Sequence, residues 1–509
     1  MPKFLEMRHF ITYLLSLTAL ITLFGSCKKQ TELLYAIDVK EKQVACTAYE
    51  QEITIQYYLH EDVLASGIQP TITSNADWAV IVDNSTPETF KVKVEENSDR
   101  SRCAKITISA DGCMTTTLTL VQYGTPTEKV TQTLMYLFLG TSLSGYFNGN
   151  LSDAQEAIET GILDNSNRVL FFRQLNKSKG YIGELCYDTA GGKCIEQRLE
   201  EIDIDTSSII TPEIVGSYIA KMAEYSPAER YGMICAGHGQ GWITREILTS
   251  EGRASTFSTG YNPWIIAPGA EVTRAFGESH VRLDIAELAE GIELSGVELD
   301  YILFDACFMS NIEAIYELRN SANYIIASPC EIMGKGFPYN RTLPYLFTDK
   351  GNTTDYEKAA ESYYQYYLNE YVGGSRCGSI TVFDCAEIEA LAEATAQVVK
   401  SAKSEEEYNI KDLQSYEGQN PHHFYDFGQW VNVVATDEEA LKRFNEQFDN
   451  AVIATFTLPT FYSAYGSYGT FPIDLDVYTG VTTSAPSKAY PKDWKTTSWY
   501  KDVWGVTEN

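Results

Sequence analysis

The 509-residue sequence is short of basic residues: 39 Lys and Arg stand against 69 Asp and Glu, a formal net charge of −30. A surface of that sign repels phosphate backbones and argues against a nucleic-acid partner. Long apolar runs are scarce as well. Beyond the first 24 residues no stretch is long enough to cross a bilayer, which takes about 20 apolar residues. Gly-rich phosphate loops and internal repeats are missing, and no Asp/Asn-rich loop has EF-hand spacing. Histidine is rare, at 6 residues, so each can be weighed singly. What is present is apolar bulk, 44% hydrophobic and 12% aromatic, with 34 Tyr against 22 Phe. A chain this apolar and this long buries real cores, which excludes wholesale disorder, and its length suits about three domains.

The N-terminus reads as an address. Lys3 and Arg8 precede an apolar run from Phe10 to Phe24, too short for a membrane span. It ends in Leu23-Phe24-Gly25-Ser26-Cys27, which resembles a bacterial lipoprotein box. The resemblance implies cleavage after residue 26, lipidation of Cys27 and anchoring at the outer membrane, on the cell surface or the periplasmic face. An ordinary cleaved signal with an incidental cysteine is the plainer alternative. In an exported chain, Cys103 with Cys113 and Cys186 with Cys194 flank turns, and either pair could bridge a hairpin or stay as thiols.

Residues 34–124 alternate with period two, as in Glu52-Ile53-Thr54-Ile55-Gln56-Tyr57, Thr89-Phe90-Lys91-Val92-Lys93-Val94, Lys105-Ile106-Thr107-Ile108 and Thr117-Leu118-Thr119-Leu120-Val121. Such alternation marks half-buried strands, and four or more of them separated by turns predict an immunoglobulin-like β-sandwich. Trp78 after Asn75-Ala76-Asp77, the Asn97 and Arg102 region and Val121-Gln122-Tyr123-Gly124 resemble a BACON domain. That resemblance implies carbohydrate or mucin binding, and a passive stalk is the competing role.

From residue 131 onward strands and helices alternate. Leu134 to Leu139, Arg168 to Phe172, Tyr231 to Ala236, Tyr301 to Asp305 and Tyr324 to Ala327 are continuous apolar runs, as strands covered on both faces are. Helices are expected at Leu151–Leu163, Ile214–Tyr225, Leu283–Glu293 and Asn311–Leu318. The order predicts an α/β fold with a mostly parallel sheet flanked by helices, in which ligands bind beyond the carboxyl ends of the strands.

Two strands run directly into reactive residues: one into Gly237-His238-Gly239-Gln240-Gly241-Trp242, the other into Asp305-Ala306-Cys307-Phe308-Met309. A thiol needs a base or a positive environment to become a thiolate, and an imidazole supplies it. Glycines around His238 admit a substrate backbone and leave the Gly239 N–H able to face a developing oxyanion. A catalytic Cys307 with His238 is therefore the expected reading.

These stretches, with Glu313 and the block Ala327-Ser328-Pro329-Cys330-Glu331-Ile332-Met333-Gly334-Lys335-Gly336-Phe337-Pro338-Tyr339, resemble the clostripain family of cysteine peptidases, which have a caspase-like fold. The resemblance covers residues 131–509. It implies a Cys307/His238 dyad, an oxyanion hole from the Gly239 and Cys307 backbone, and an acidic S1 pocket in which Asp305 binds Arg or Lys at P1. A structural Asp305 is the alternative. Lys335 stands where relatives often carry acidic help, and Glu331 is a possible substitute. Relatives self-cleave in the polar stretch between the two catalytic residues, which makes Arg253 a candidate processing site.

No cofactor is required, and calcium, which clostripain uses, has no clear motif here; Gly140-Thr141-Ser142-Leu143-Ser144-Gly145 replaces the family's early acidic turn. His422-His423 with Asp426 reads as packing and not as a metal site, and the C-terminal aromatics read as extra elements packed on the core. The expected protein is a lipid-anchored cysteine endopeptidase acting on protein or peptide. Its rival is an inactive peptidase-like lipoprotein that binds glycan or protein, and an amidase is a third reading.

Overall fold

Alternating sequence becomes two stacked sheets in the N-terminal part of the computed structural model, which describes residues 35–98, 102–122, 124, 129–162, 167–188, 193–205, 210–247, 266–274, 283–347 and 353–505. Cys27 and Arg253 lie outside these residues. The chain divides into two compact units, Met1–Thr125 and Pro126–Asn509. In the first, strands β1 (Ile37–Val39), β3 (Gln51–Leu59), β6 (Thr89–Val94) and β5 (Ala79–Asp83) make one sheet. Strands β2 (Gln43–Cys46), β8 (Thr116–Gln122), β7 (Arg102–Ser109) and β4 (Thr71–Ser74) make the other. Their inward residues, among them Ile55, Tyr57, Phe90, Val92, Ile106 and Leu120, share one core. Trp78 lies beneath the Arg102 guanidinium, 4.5 Å from its ring centroid.

The second unit is built on a nine-stranded sheet. Strands β9 (Val130–Phe138), β10 (Asn167–Gln174), β11 (Lys179–Asp188), β12 (Lys193–Asp203), β13 (Ala228–Ala236), β14 (Leu299–Asp305), β15 (Ala322–Ala327) and β16 (Ile380–Asp384) belong to it. The short strand β17 (Tyr425–Asp426) lies outside it, and β18 (Val452–Phe456) completes it, in the order β12-β11-β10-β9-β13-β14-β15-β16-β18. The five central strands are parallel, and both edges are antiparallel. The expected parallel sheet is thus its middle; the edges were hidden because alternating hairpins such as β11–β12 carry too few apolar residues to read as buried strands.

The central strands carry unbroken apolar stretches, such as Leu134 to Phe138, because helices cover both faces. Leu134, Tyr136 and Phe138 join Phe147 of helix α1 (Ser144–Ala157) in one cluster, while the alternate residues Met135 and Leu137 are buried on the other side. Helices α2 (Pro212–Tyr225), α3 (Ile285–Ser295) and α4 (Ile312–Leu318) pack in succession. Thr211 caps α2 by accepting from the Ile214 N–H, with Pro212 at the first position. Helix α1 begins seven residues before the expected Leu151, because Ser144-Gly145 opens it and a π-helical turn, Ile158–Ile162, ends it.

The described cysteines are thiols. In the β11–β12 ladder Cys186 stands opposite Ile195, and Cys194 opposite Tyr187. That one-residue offset sends the two side chains to opposite faces of the hairpin, so they cannot bridge.

Candidate active site

Strand pairing brings the two predicted motifs together. Ala236 of β13 pairs with Asp305 of β14, and His238 and Cys307 each follow two residues beyond that pair, at one edge of the sheet. The approach is close: a Cβ on Gly239 would lie 2.2 Å from the Cys307 carbonyl oxygen and 2.8 Å from its nitrogen. Only glycine fits there. His238 is half-buried, and its Nε2 is 2.9 Å from the Ser142 hydroxyl. Cys307 is fully buried; its Sγ accepts from the Ile332 N–H at 3.0 Å. Phe308, the next residue, holds a φ of 61°, a strained value for a large side chain. Stacking on Phe424, with centroids 4.8 Å apart, holds it in place.

A segment of the chain itself lies across this edge. Val272, Thr273 and Arg274 run antiparallel to Ile332, Met333 and Gly334: the Arg274 N–H donates to the Ile332 carbonyl at 2.8 Å, and the Gly334 N–H to the Val272 carbonyl at 2.7 Å. The Arg274 carbonyl accepts from the N–H of Gly239 at 2.9 Å and from the N–H of Cys307 at 3.2 Å. Two donors converging on one carbonyl oxygen next to a thiol form the arrangement that stabilises an oxyanion in acyl transfer.

The Arg274 side chain fills a closed pocket. Its Nη1 is 2.9 Å from Asp305 Oδ2, and both side chains are fully buried. The guanidinium also donates to Asn150 Oδ1 at 2.6 Å and to the carbonyls of Gly334, Lys335 and Asp305. Tyr339 donates to the same Asp305 oxygen at 2.8 Å, and the Phe147 ring centroid lies 5.7 Å from the guanidinium carbon. Burial pushes the Asp305 carboxyl up, and Arg274 and Tyr339 pull it back. Gly336, with φ 70°, gives the pocket its room: a Cβ there would stand 2.4 Å from Arg274 Nη2. Lys335 turns its ammonium to an ion pair with Asp153 at 2.7 Å, which offsets its charge, and only its carbonyl bonds to the Arg274 guanidinium.

Glu331 is not part of this pocket. It is fully buried, and its carboxylate accepts from the Ser463 hydroxyl at 2.6 Å, from the Ala464 N–H, and from the Thr273 hydroxyl at 2.5 Å. Burial raises its pKa to about 7. Burial also pushes the Cys307 thiol far up, and the Glu331 charge adds to it.

The remaining candidates are structural. Glu313 accepts from the Trp494 indole, the Thr483 hydroxyl and the Ser484 N–H. Asp426 caps the helix Phe427–Val434, and His423 stacks on Tyr490 with centroids 5.1 Å apart. Among the described residues no three His, Cys, Asp or Glu side chains form a metal-holding group, nor is any helix long and apolar enough to cross a membrane. Sequence reasoning missed Arg274, Thr273 and Asn150. A polar residue inside an amphipathic helix reads as solvent-facing, and nothing local separates Arg274 from other arginines.

No curated protein matches the chain significantly. The model of the clostripain family matches residues 192–504. A secreted C11 cysteine protease from Bacteroides thetaiotaomicron, iotapain, is 30% identical over 74% of this chain and 100% of its own, with a TM-score of 0.63. A secreted C11 cysteine protease from the same species, in complex with an irreversible peptide inhibitor, is 25% identical over 74% of this chain and 100% of its own, with a TM-score of 0.59. An inactive zymogen C11 protease from Parabacteroides distasonis is 28% identical over 74% of this chain and 99% of its own, with a TM-score of 0.60. A matching caspase-like sheet, the family's sequence blocks, and a histidine and a cysteine that each follow a strand by two residues at one edge of that sheet lead to one conclusion: the chain belongs to the clostripain family of cysteine endopeptidases.

Proposed function

We propose that this endopeptidase cuts after basic residues, that Cys307 and His238 carry the reaction, and that its first substrate is its own Arg274–Ala275 bond. The observation that carries the reading is the Arg274 carbonyl, shared by the Gly239 and Cys307 N–H groups while its guanidinium meets Asp305. His238 takes the Cys307 proton, and Sγ bonds to the Arg274 carbonyl carbon. The oxygen becomes an oxyanion held by the two N–H groups. It collapses, the C–N bond to Ala275 breaks, and His238 delivers the proton to the leaving amine. Water then adds to the thioester, releasing the Arg274 carboxylate and restoring the thiol. Ser142 orients the imidazole through Nε2. The uncut chain is latent because its own segment covers the sulfur, and departure of that segment opens the cleft. The zymogen state of the Parabacteroides distasonis relative supports this. The chemistry requires no cofactor.

Lipid on Cys27 would hold the protein at the outer membrane, with the β-sandwich as a stalk or a glycan-binding module. Secretion of the Bacteroides thetaiotaomicron relative supports export.

Incubation of wild type, Cys307→Ala and Arg274→Ala, followed by intact-mass measurement, tests the reading. Wild type should yield a fragment ending at Arg274, and both variants should stay whole at that bond. Cleavage after Arg274 in Cys307→Ala, or a wild type cut elsewhere only, would overturn it.

A further inference from the structure

The segment on the active site shows more than its basic residue. Thr273, immediately before Arg274, is fully buried, and its hydroxyl donates to Glu331 Oε2 at 2.5 Å. Glu331 is set for this contact from behind. Ser463 and the Ala464 N–H occupy Oε1, and the same N–H also reaches Oε2 at 3.1 Å, so the carboxylate cannot turn away. Main-chain pairing fixes the register, because Thr273 bridges Met333 while its two neighbours bond to Ile332 and Gly334. Any substrate following the same path puts its penultimate side chain against that oxygen.

Resting on the proposed reading of Arg274 as the bound P1 residue, we infer that Glu331 is a specificity residue of the S2 subsite and selects peptides with a hydroxyl, Thr before Ser, at P2. A buried carboxylate oxygen that loses its donor is left unsatisfied, and a site built to bond a hydroxyl rejects the isostere lacking one far more strongly than it rejects a missing methyl. Above pH 7, where Glu331 is mostly ionised, the bond is charge-assisted and of the stronger kind. Thr also keeps a γ-methyl, which is buried with the rest of the Thr273 side chain. The substrate class is therefore exposed or unfolded protein segments carrying Thr or Ser followed by Arg or Lys.

The test uses the full chain after self-processing and fluorogenic peptides, acetyl-Glu-Val-Thr-Arg-aminomethylcoumarin and its variants with Ser, Val, Ala or Lys at P2 or Ala at P1. Val is the isostere of Thr, so no protein variant is needed for the main comparison. Thr should exceed Val by at least about tenfold in kcat/KM, with Ser between them. In Glu331→Gln, where a neutral bond replaces the charged one, the Thr/Val ratio should fall severalfold while the Arg/Ala ratio at P1 holds. Equal cleavage of Thr and Val peptides, or faster cleavage of the Lys peptide, overturns the inference and leaves the P1 reading intact. Equal cleavage with Ala at P1 overturns the P1 reading instead. Failure to cut any of the peptides overturns both.

Discussion

Arg274 and Asp305 form a fully buried ion pair, and that fact governs what substitutions there do. Removing one partner of such a pair strands the other charge, which costs about 3–5 kcal/mol. Asp305→Ala in a chain blocked at Cys307→Ala should therefore unfold at lower denaturant by about that much. Adding Arg274→Met should recover most of the loss, because the stranded cation goes with it. Additive losses in a urea-denaturation cycle would mean that the two groups do not depend on each other. His423 gives a second prediction at this scale. Burial lowers its pKa to about 4, below the ordinary histidine value of about 6.5. Below pH 6.5 the unfolded chain takes up a proton that the folded chain refuses, so this stabilising contribution is full above 6.5 and lost as pH falls towards 4. His423→Phe, which can still stack on Tyr490, should show a shallower fall in Tm between pH 6.5 and 4 than wild type.

At the scale of elements, the site depends on how closely two strand ends approach. Beyond β13 and β14 the backbones of Gly239 and Cys307 touch, with no space for a methyl group. Gly239→Ala must push the two ends apart, and a displacement near 1 Å at a reacting centre costs about a hundredfold in rate. Self-processing of Gly239→Ala, followed by gel densitometry, should slow by at least that factor; a rate within threefold of wild type would remove the close approach from the account. The central strands were legible in the sequence because burial on both faces demands unbroken apolar runs such as Leu134 to Leu139. The edge strands and the true start of α1 were not, since half-exposed hairpins and a helix opening on Ser144-Gly145 leave only weak local patterns.

At the scale of the whole molecule, each unit buries apolar residues of its own among the described residues. Anchoring belongs to this scale. If lipid on Cys27 holds the protein, Cys27→Ala should move it from the membrane fraction to the soluble fraction, as immunoblotting after ultracentrifugation would register, without changing the peptide-cleavage rate of the processed enzyme.

Sequence alone determined the sheet's central strands, the sandwich's alternation, and the His238 and Cys307 positions, because each is written in a local pattern: unbroken apolar runs, period two, and glycines or a thiol directly after a strand. Asp305 was marked by the resemblance to the clostripain family and by no local pattern. The tertiary structure alone decided the occupant of the site. That Arg274 rather than another arginine sits on Asp305, that Asn150 lines its pocket, and that Glu331 meets Thr273 instead of the basic side chain all follow from a segment pairing with Ile332–Gly334 nearly sixty residues away. Backbone hydrogen bonds look alike whatever the side chains, so no local pattern in the sequence announces such a pairing.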